Sequence, residues 1–163
     1  KNGILQVDYT NTLRARGTLT VSSAGNSANK SEIGAPACLA GAIGVGAVYD
    51  ANVGTISFGC TDGSTAADQI ACFSNSSSAL DLLAPGAAIT SSGLGGGVAG
   101  FAGTSQAAPH VAGAIALMLQ AKPSATADQL EAALKASGRP IADTNGITVP
   151  RIDVKGAVDA IKK

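Results

Sequence analysis

Apolar runs of strand length alternate along this chain with longer stretches of helical spacing, the pattern of a mostly parallel sheet covered by helices. Residues 4–15 read as a helix with Gly17 as its stop. Leu19-Thr20-Val21 reads as a short buried strand running into the turn Ala24-Gly25-Asn26. Ile43-Gly44-Val45-Gly46-Ala47-Val48 alternates large and small residues, which suits a strand packed closely against a helix. Leu80-Asp81-Leu82-Leu83-Ala84 predicts a further strand, ended by the turn Pro85-Gly86. Residues 105–120 have helical spacing and are almost wholly apolar, so this helix is expected in the middle of the fold. Thr126 and Gln129 fit a capping box that opens an amphipathic helix ended by Ser137-Gly138. Residues 151–161 read as a last strand-to-helix unit.

Composition fits this α/β reading. The 163 residues suffice for one domain with a core, and 45% hydrophobic against 13% charged residues excludes a disordered chain. Eleven basic residues balance eleven acidic ones, which removes any bulk-charge argument for nucleic acid or an anionic membrane as partner. No apolar run is long enough to span a bilayer. Cys60 and Cys72 flank the polar loop 61–68, and they are either two free thiols or a disulfide stapling that loop. The bridge is the expectation, and with it a secreted protein; Cys38 is left odd. One histidine and no Cys-x-x-Cys argue against a structural zinc site.

The candidate chemistry sits at the start of the long helix. Gly103-Thr104-Ser105 places a serine where a helix offers unpaired N–H groups and partial positive charge, which stabilise an oxyanion. A nucleophilic serine needs that environment, although many serines there are only caps. Pro109 is expected in the first turn, where its missing N–H costs nothing. His110 is the obvious base, but geometry excludes it. Five residues on along one helix, it lies about 140° round and about 7.5 Å along the axis from Ser105.

The stretch Gly103-Thr104-Ser105-x-Ala107-x-Pro109-His110-Val111-Ala112-Gly113 closely resembles the nucleophile signature of the subtilisin-like serine proteases. Val21-Ser22-Ser23-Ala24-Gly25-Asn26, Ala35-Pro36-Ala37, residues 43–47, Phe73-Ser74-Asn75, Leu83-Ala84-Pro85-Gly86 and Ile152-Asp153-Val154 match the same family in order. The resemblance implies a three-layer α/β/α fold of which residues 1–163 form the C-terminal part. It implies a serine endopeptidase with Ser105 as nucleophile and Asn26 as side-chain donor to the oxyanion, and Thr104 as an accessory residue there. It implies that Ser23, Ala24 and Gly25 line the pocket for the residue before the scissile bond, with Gly34 as a roomy floor suited to a large apolar side chain. It further implies a cis bond at Ala35-Pro36 and a buried, structural His110.

A structural calcium ion is the one candidate cofactor, since the chemistry itself requires none. The resemblance points to Asp81 with the carbonyls of Ala37, Leu39 and Ala42; the plainer reading has Asp81 bonded to nearby N–H groups. The loop 62–68, with two aspartates, is a weaker alternative. Neither the Asp-Thr-Gly nor the His-Gly-Thr-His context of the family's triad occurs here. The expected partners are therefore protein or peptide substrates and the N-terminal half of the same catalytic domain, bringing the aspartate and histidine. Alone, the chain is expected to be inactive. The competing reading is a non-catalytic fragment or pseudoenzyme acting as a binding module. Gly95-x-Gly97-x-x-Gly100 lacks the strand, helix and acidic residue that a dinucleotide site requires.

Overall fold

The computed structural model describes residues 9–162. In chain order these form α1 (Tyr9–Ala15), β1 (Thr20–Ser23), β2 (Ala42–Val48), β3 (Ile56–Ser57), β4 (Thr61–Asp62), β5 (Leu82–Pro85), β6 (Ile89–Ser92) and β7 (Val98–Phe101). They continue with α2 (Thr104–Ala121), α3 (Ala127–Ser137), β8 (Arg139–Ala142), β9 (Thr148–Arg151) and α4 (Val154–Ile161). Five strands form one sheet in the order β1-β2-β5-β9-β8. The pairs β1–β2, β2–β5 and β5–β9 are parallel and β8–β9 is antiparallel. The mostly parallel α/β arrangement expected from the sequence is thus present. Strands β3–β4 and β6–β7 are separate antiparallel hairpins, which the sequence pattern did not reveal.

Strand β2, flanked by β1 and β5, is buried at all seven positions, because both faces of a parallel sheet must be covered. On one face Ile43, Val45, Ala47, Leu82 and Ala84 pack against Val111, Ala114 and Met118 of α2, Leu130 and Leu134 of α3, and Ala157 and Ile161 of α4. The other face gathers Ala24, Ile33, Ala37, Val48, Leu80, Leu83 and Val149. Helix α3 opens with the expected capping box. The Thr126 hydroxyl accepts from the Gln129 N–H, and the Gln129 side chain accepts from the Thr126 N–H. Arg14 of α1 bridges to Asp128 and Glu131 of α3 at 2.6 Å each, which ties the first helix to the third.

Several expectations shift. The first helix covers Tyr9–Ala15; positions 4–8 of the expected helix lie outside the described residues. The first strand starts at Thr20, the third apolar run is extended only from Leu82, and the last strand ends at Arg151 rather than beginning there. Helix α2 is not enclosed. Only Thr104, Ala107, Val111, Ala114, Ile115 and Met118 are buried, whereas Leu117 (51% exposed) and Leu119 (37%) face outward. No described element covers that side, and β1 beside it is an edge strand. Pro109 sits in the second turn, not the first, so it withholds the N–H that the Ser105 carbonyl would have accepted.

Cys60 and Cys72 are bridged, with their Cα atoms 6.1 Å apart, and Cys38 is free and exposed. The Ala35-Pro36 bond is cis. The loop after Asn26 is tied to the far end of the chain. Lys30 donates to Asp143 at 3.2 Å and to the Ser74 carbonyl at 3.1 Å, and Asn145 donates to the Lys30 carbonyl at 2.9 Å. Burial alone would raise the pKa of Asp143, but hydrogen bonds from Ser76 and the Thr144 N–H, with the Lys30 ammonium, hold it below its ordinary value.

Two predictions follow from this framework. Reducing the disulfide should lower unfolding stability by about 3 kcal/mol, read as a shift in the guanidinium midpoint with and without reductant. Because the Asp143 pKa is lower folded than unfolded, its contribution is complete above about pH 4 and is lost as pH falls through the folded value. Asp143→Asn should therefore lower the urea midpoint at pH 7 and have a much smaller effect at pH 3.

Candidate active site

Strands β1 and β5 flank β2 and end at the same rim of the sheet. From β1 the chain continues through Ala24-Gly25 to Asn26. From β5 it reaches Gly86, whose N–H donates to the Val48 carbonyl at 2.9 Å and whose carbonyl accepts from the Gly103 N–H at 2.7 Å. That second bond seats the start of α2 above the rim. The carboxyl ends of parallel strands are where open α/β sheets bind ligands.

The two segments then lock to each other. Helix α2 has Gly103 at its cap position, so no local side chain caps it. The acceptor comes from 78 residues away: Asn26 Oδ1 accepts from the Thr104 N–H and from the Thr104 hydroxyl, both at 2.9 Å. The same hydroxyl accepts from the Gly25 N–H at 3.1 Å. Thr104 is fully buried and serves as the link between the loop and the helix. With its oxygen committed to Thr104, the Asn26 amide has its nitrogen, Nδ2, as the outward group.

Glycine is required on both sides of this contact. Gly103 has φ +155°, and a Cβ there would sit 3.2 Å from Asn26 Nδ2 and 2.9 Å from Gln106 Oε1. That same point is 3.7 Å from the Ser105 nitrogen, so the Asn26 amide and the Ser105 N–H both lie close around Gly103. Gly25 has φ +108°, and a Cβ there would run into the Asn75 amide. Asn75 is buried and holds the turn. Its Oδ1 accepts from the N–H groups of Ser27 (2.9 Å) and Asn29 (3.0 Å), and its own N–H donates to the Gly25 carbonyl at 2.9 Å. The sequence offered Asn75 only as part of a motif; its signal was a single amide within a run of serines.

Ser105 is exposed at the mouth of α2. Among the first-turn N–H groups, that of Thr104 goes to Asn26 and that of Gln106 to the Gly103 carbonyl at 3.0 Å. The Ser105 N–H has no hydrogen-bond partner among the described residues and points from the positive end of the helix. An open cleft of about 440 Å³ lies over Ser105, lined also by Ile89, Ser91, Phe101, Gln106 and His110. His110 differs from the expectation: it is exposed, not buried, because it lies on the side of α2 that no described element covers. Its Nδ1 pairs with the Gln106 carbonyl at 2.8 Å, one turn back on the same helix.

Of the residues expected to meet substrate, Ala24 is fully buried, its N–H donated to the Val45 carbonyl and its own carbonyl accepting from the Gly34 N–H at 2.8 Å. Gly34 is thereby held directly against the 23–25 segment, while Ser23 and Gly25 are only partly buried. Asp81 does not fit a cation site. One oxygen accepts from the Gly44 N–H at 2.8 Å and the other pairs with Lys135 at 2.7 Å, so an ammonium already stands where a cation would bind. Leu39 likewise spends its carbonyl on the Ala42 N–H. The loop aspartates are also committed, Asp62 to Tyr49 and the Cys72 N–H, Asp68 to Arg139 and Arg151. No group of three metal-ligating side chains occurs among the described residues.

Comparison with known proteins identifies the family. A profile of the subtilase family matches residues 2–153. Subtilisin of Bacillus pumilus is 38% identical over 124 residues, covering 74% of this chain and 39% of that protein. Alkaline elastase YaB of Bacillus sp. (strain YaB) is 36% identical over 134 residues, covering 82% of this chain and 31% of its own length. The chain thus spans well under half of these relatives. The self-cleaved protease domain of PatA superimposes with a TM-score of 0.71 at 28% identity, over 93% of this chain and 52% of that one. The sheet and its helices are those of the three-layer α/β/α fold. A rim that joins Ser105, Thr104 and Asn26, carried on that fold and matched by that profile along nearly its whole length, makes this chain a member of the subtilase family.

Proposed function

We propose that this chain supplies the nucleophile and oxyanion donors of a secreted serine endopeptidase. The observation that carries the reading is that Asn26 Nδ2 and the Ser105 nitrogen both lie close around Gly103, next to an exposed serine. Acyl transfer places negative charge on the carbonyl oxygen of the scissile bond, and two preorganised donors at a helix start stabilise it as it develops. Ser105 Oγ attacks the peptide carbonyl, and the Asn26 oxygen, held twice by Thr104, keeps the amide from turning away. Ser23 and Gly25 form one wall for the side chain before the scissile bond, and Gly34 leaves its floor open to a large apolar group. The disulfide fits an oxidising, extracellular setting.

The proton acceptor comes from elsewhere. The chain has one histidine, and its Nδ1 is engaged by its own helix. The partner of this chain is the N-terminal half of the same catalytic domain, bringing an aspartate and a histidine. The surface that receives it combines the free edge of β1 with the outward apolar side of α2. A groove of about 280 Å³ between them is lined by Leu19, Val21, Ala112, Ile115 and Leu119. A parallel edge strand and a half-covered apolar helix are both unfavourable in water, and one added strand-helix layer would satisfy them together.

In the full-length protein, a fluorophosphonate should label Ser105 and peptide hydrolysis should vanish in Ser105→Ala. Asn26→Ala should lower kcat about 10²–10³-fold with KM changed little, the loss seen when such a donor is removed from a subtilisin. The 163-residue chain alone should hydrolyse nothing. Peptidase activity in the isolated chain would refute the division of labour, and unlabelled Ser105 in the full-length protein would favour a non-catalytic binding module.

A further inference from the structure

The hairpin β3–β4 plays no part in the sheet, yet it is braced more heavily than a pair of two-residue strands warrants. Such a hairpin does not hold itself together in water. Here the Phe58 N–H donates to the Cys60 carbonyl at 2.9 Å across the turn. The Cys60–Cys72 bridge then fastens it to the core. The Asp62 carboxylate fixes its second strand, accepting from the Tyr49 hydroxyl at 2.8 Å and the Cys72 N–H at 2.9 Å. What this bracing presents is a single aromatic residue.

Phe58 stands edge-on against Phe73, with ring centroids 5.1 Å apart and planes at 88°, a favoured aromatic geometry. Phe73 is buried, whereas Phe58 remains 41% exposed. One side of the Phe58 ring is thus seated and the other is left open. Its neighbour Gly59, at φ +71°, lies against the candidate site: a Cβ there would be 3.8 Å from the Asn26 carbonyl oxygen. Phe73 is joined to the same loop, its carbonyl accepting from the Ala28 N–H at 2.9 Å.

The acyl-side elements gather at Ala24, whose carbonyl accepts from the Gly34 N–H at 2.8 Å, whereas the hairpin meets the loop at Asn26. Segment 23–25 serves the acyl side and Asn26 marks the scissile carbonyl. Gly59 therefore meets that run at the end away from Ala24 and Gly34, and on the peptidase reading that end faces the leaving group. Resting on the peptidase reading above, we propose that Phe58, held out by the disulfide-braced hairpin, contacts the substrate on the leaving-group side and selects an apolar side chain there.

The test uses the full-length protein and two substrate types sharing one acyl part. The first is a pair of internally quenched peptides with Leu or Asp directly after the scissile bond. The second is the methyl ester, whose leaving group is too small to reach the hairpin. Phe58→Ala should reduce the Leu-over-Asp preference in kcat/KM about tenfold, within the range one apolar contact supplies, and leave ester hydrolysis within twofold. Phe58→Leu should retain most of the preference. An unchanged preference in Phe58→Ala would overturn the proposal. So would an equal fall on both peptides and the ester, which would mark Phe58 as a structural prop. Failure of the unaltered protein to hydrolyse the ester would instead overturn the peptidase reading itself.

Discussion

Everything at the rim depends on how α2 begins. A helix start leaves donors without partners, and the usual remedy is a serine, threonine or aspartate at the cap position. Here that position is a glycine, and the missing acceptor arrives as the Asn26 carboxamide from the end of β1. The helix therefore does not have a properly satisfied end until the first strand of the sheet is in place. One contact closes the helix and orients the amide. Thr104 makes the arrangement cooperative, since its hydroxyl accepts from Gly25 while donating to Asn26.

This contact explains what was legible in the sequence and what was not. The serine motif and the capping box of α3 are local patterns, with every necessary residue within a few positions, and both appear where expected. The parallel sheet was legible because buried strands are continuous apolar runs. The two hairpins were not. Strands β3 and β4 have two residues each, and β6 and β7 are mostly exposed and run through a glycine-rich turn, so neither carries a two-residue apolar alternation. The Asp81–Lys135 pair joins positions 54 apart, and no local pattern announces it. Burial of α2 was over-read for another reason. An apolar helix declares that it will be covered, not by which chain.

The outward side of α2 and the open edge of β1 put the stability of this chain and its chemistry on the same surface. Apolar groups such as Leu117 and Leu119 contribute to folding only when something removes them from water. In the proposed assembly, the layer that covers them also delivers the base to Ser105. Folding and assembly of the catalytic group then become one event, and an incompletely assembled protease is restrained without a separate inhibitor.

The glycine cap of α2 has one more consequence. Judged by the helix alone, the side chain best suited to position 26 is aspartate, which has two acceptor oxygens and a full negative charge facing the positive helix end. That charge is worth roughly 0.3–1 kcal/mol to a helix start. Asparagine gives the helix one neutral acceptor and keeps an N–H group beside Gly103 instead. At this position the chain holds less stability than its backbone would allow, and in the proposed function the difference is carried as a hydrogen-bond donor that does nothing until charge appears in front of it.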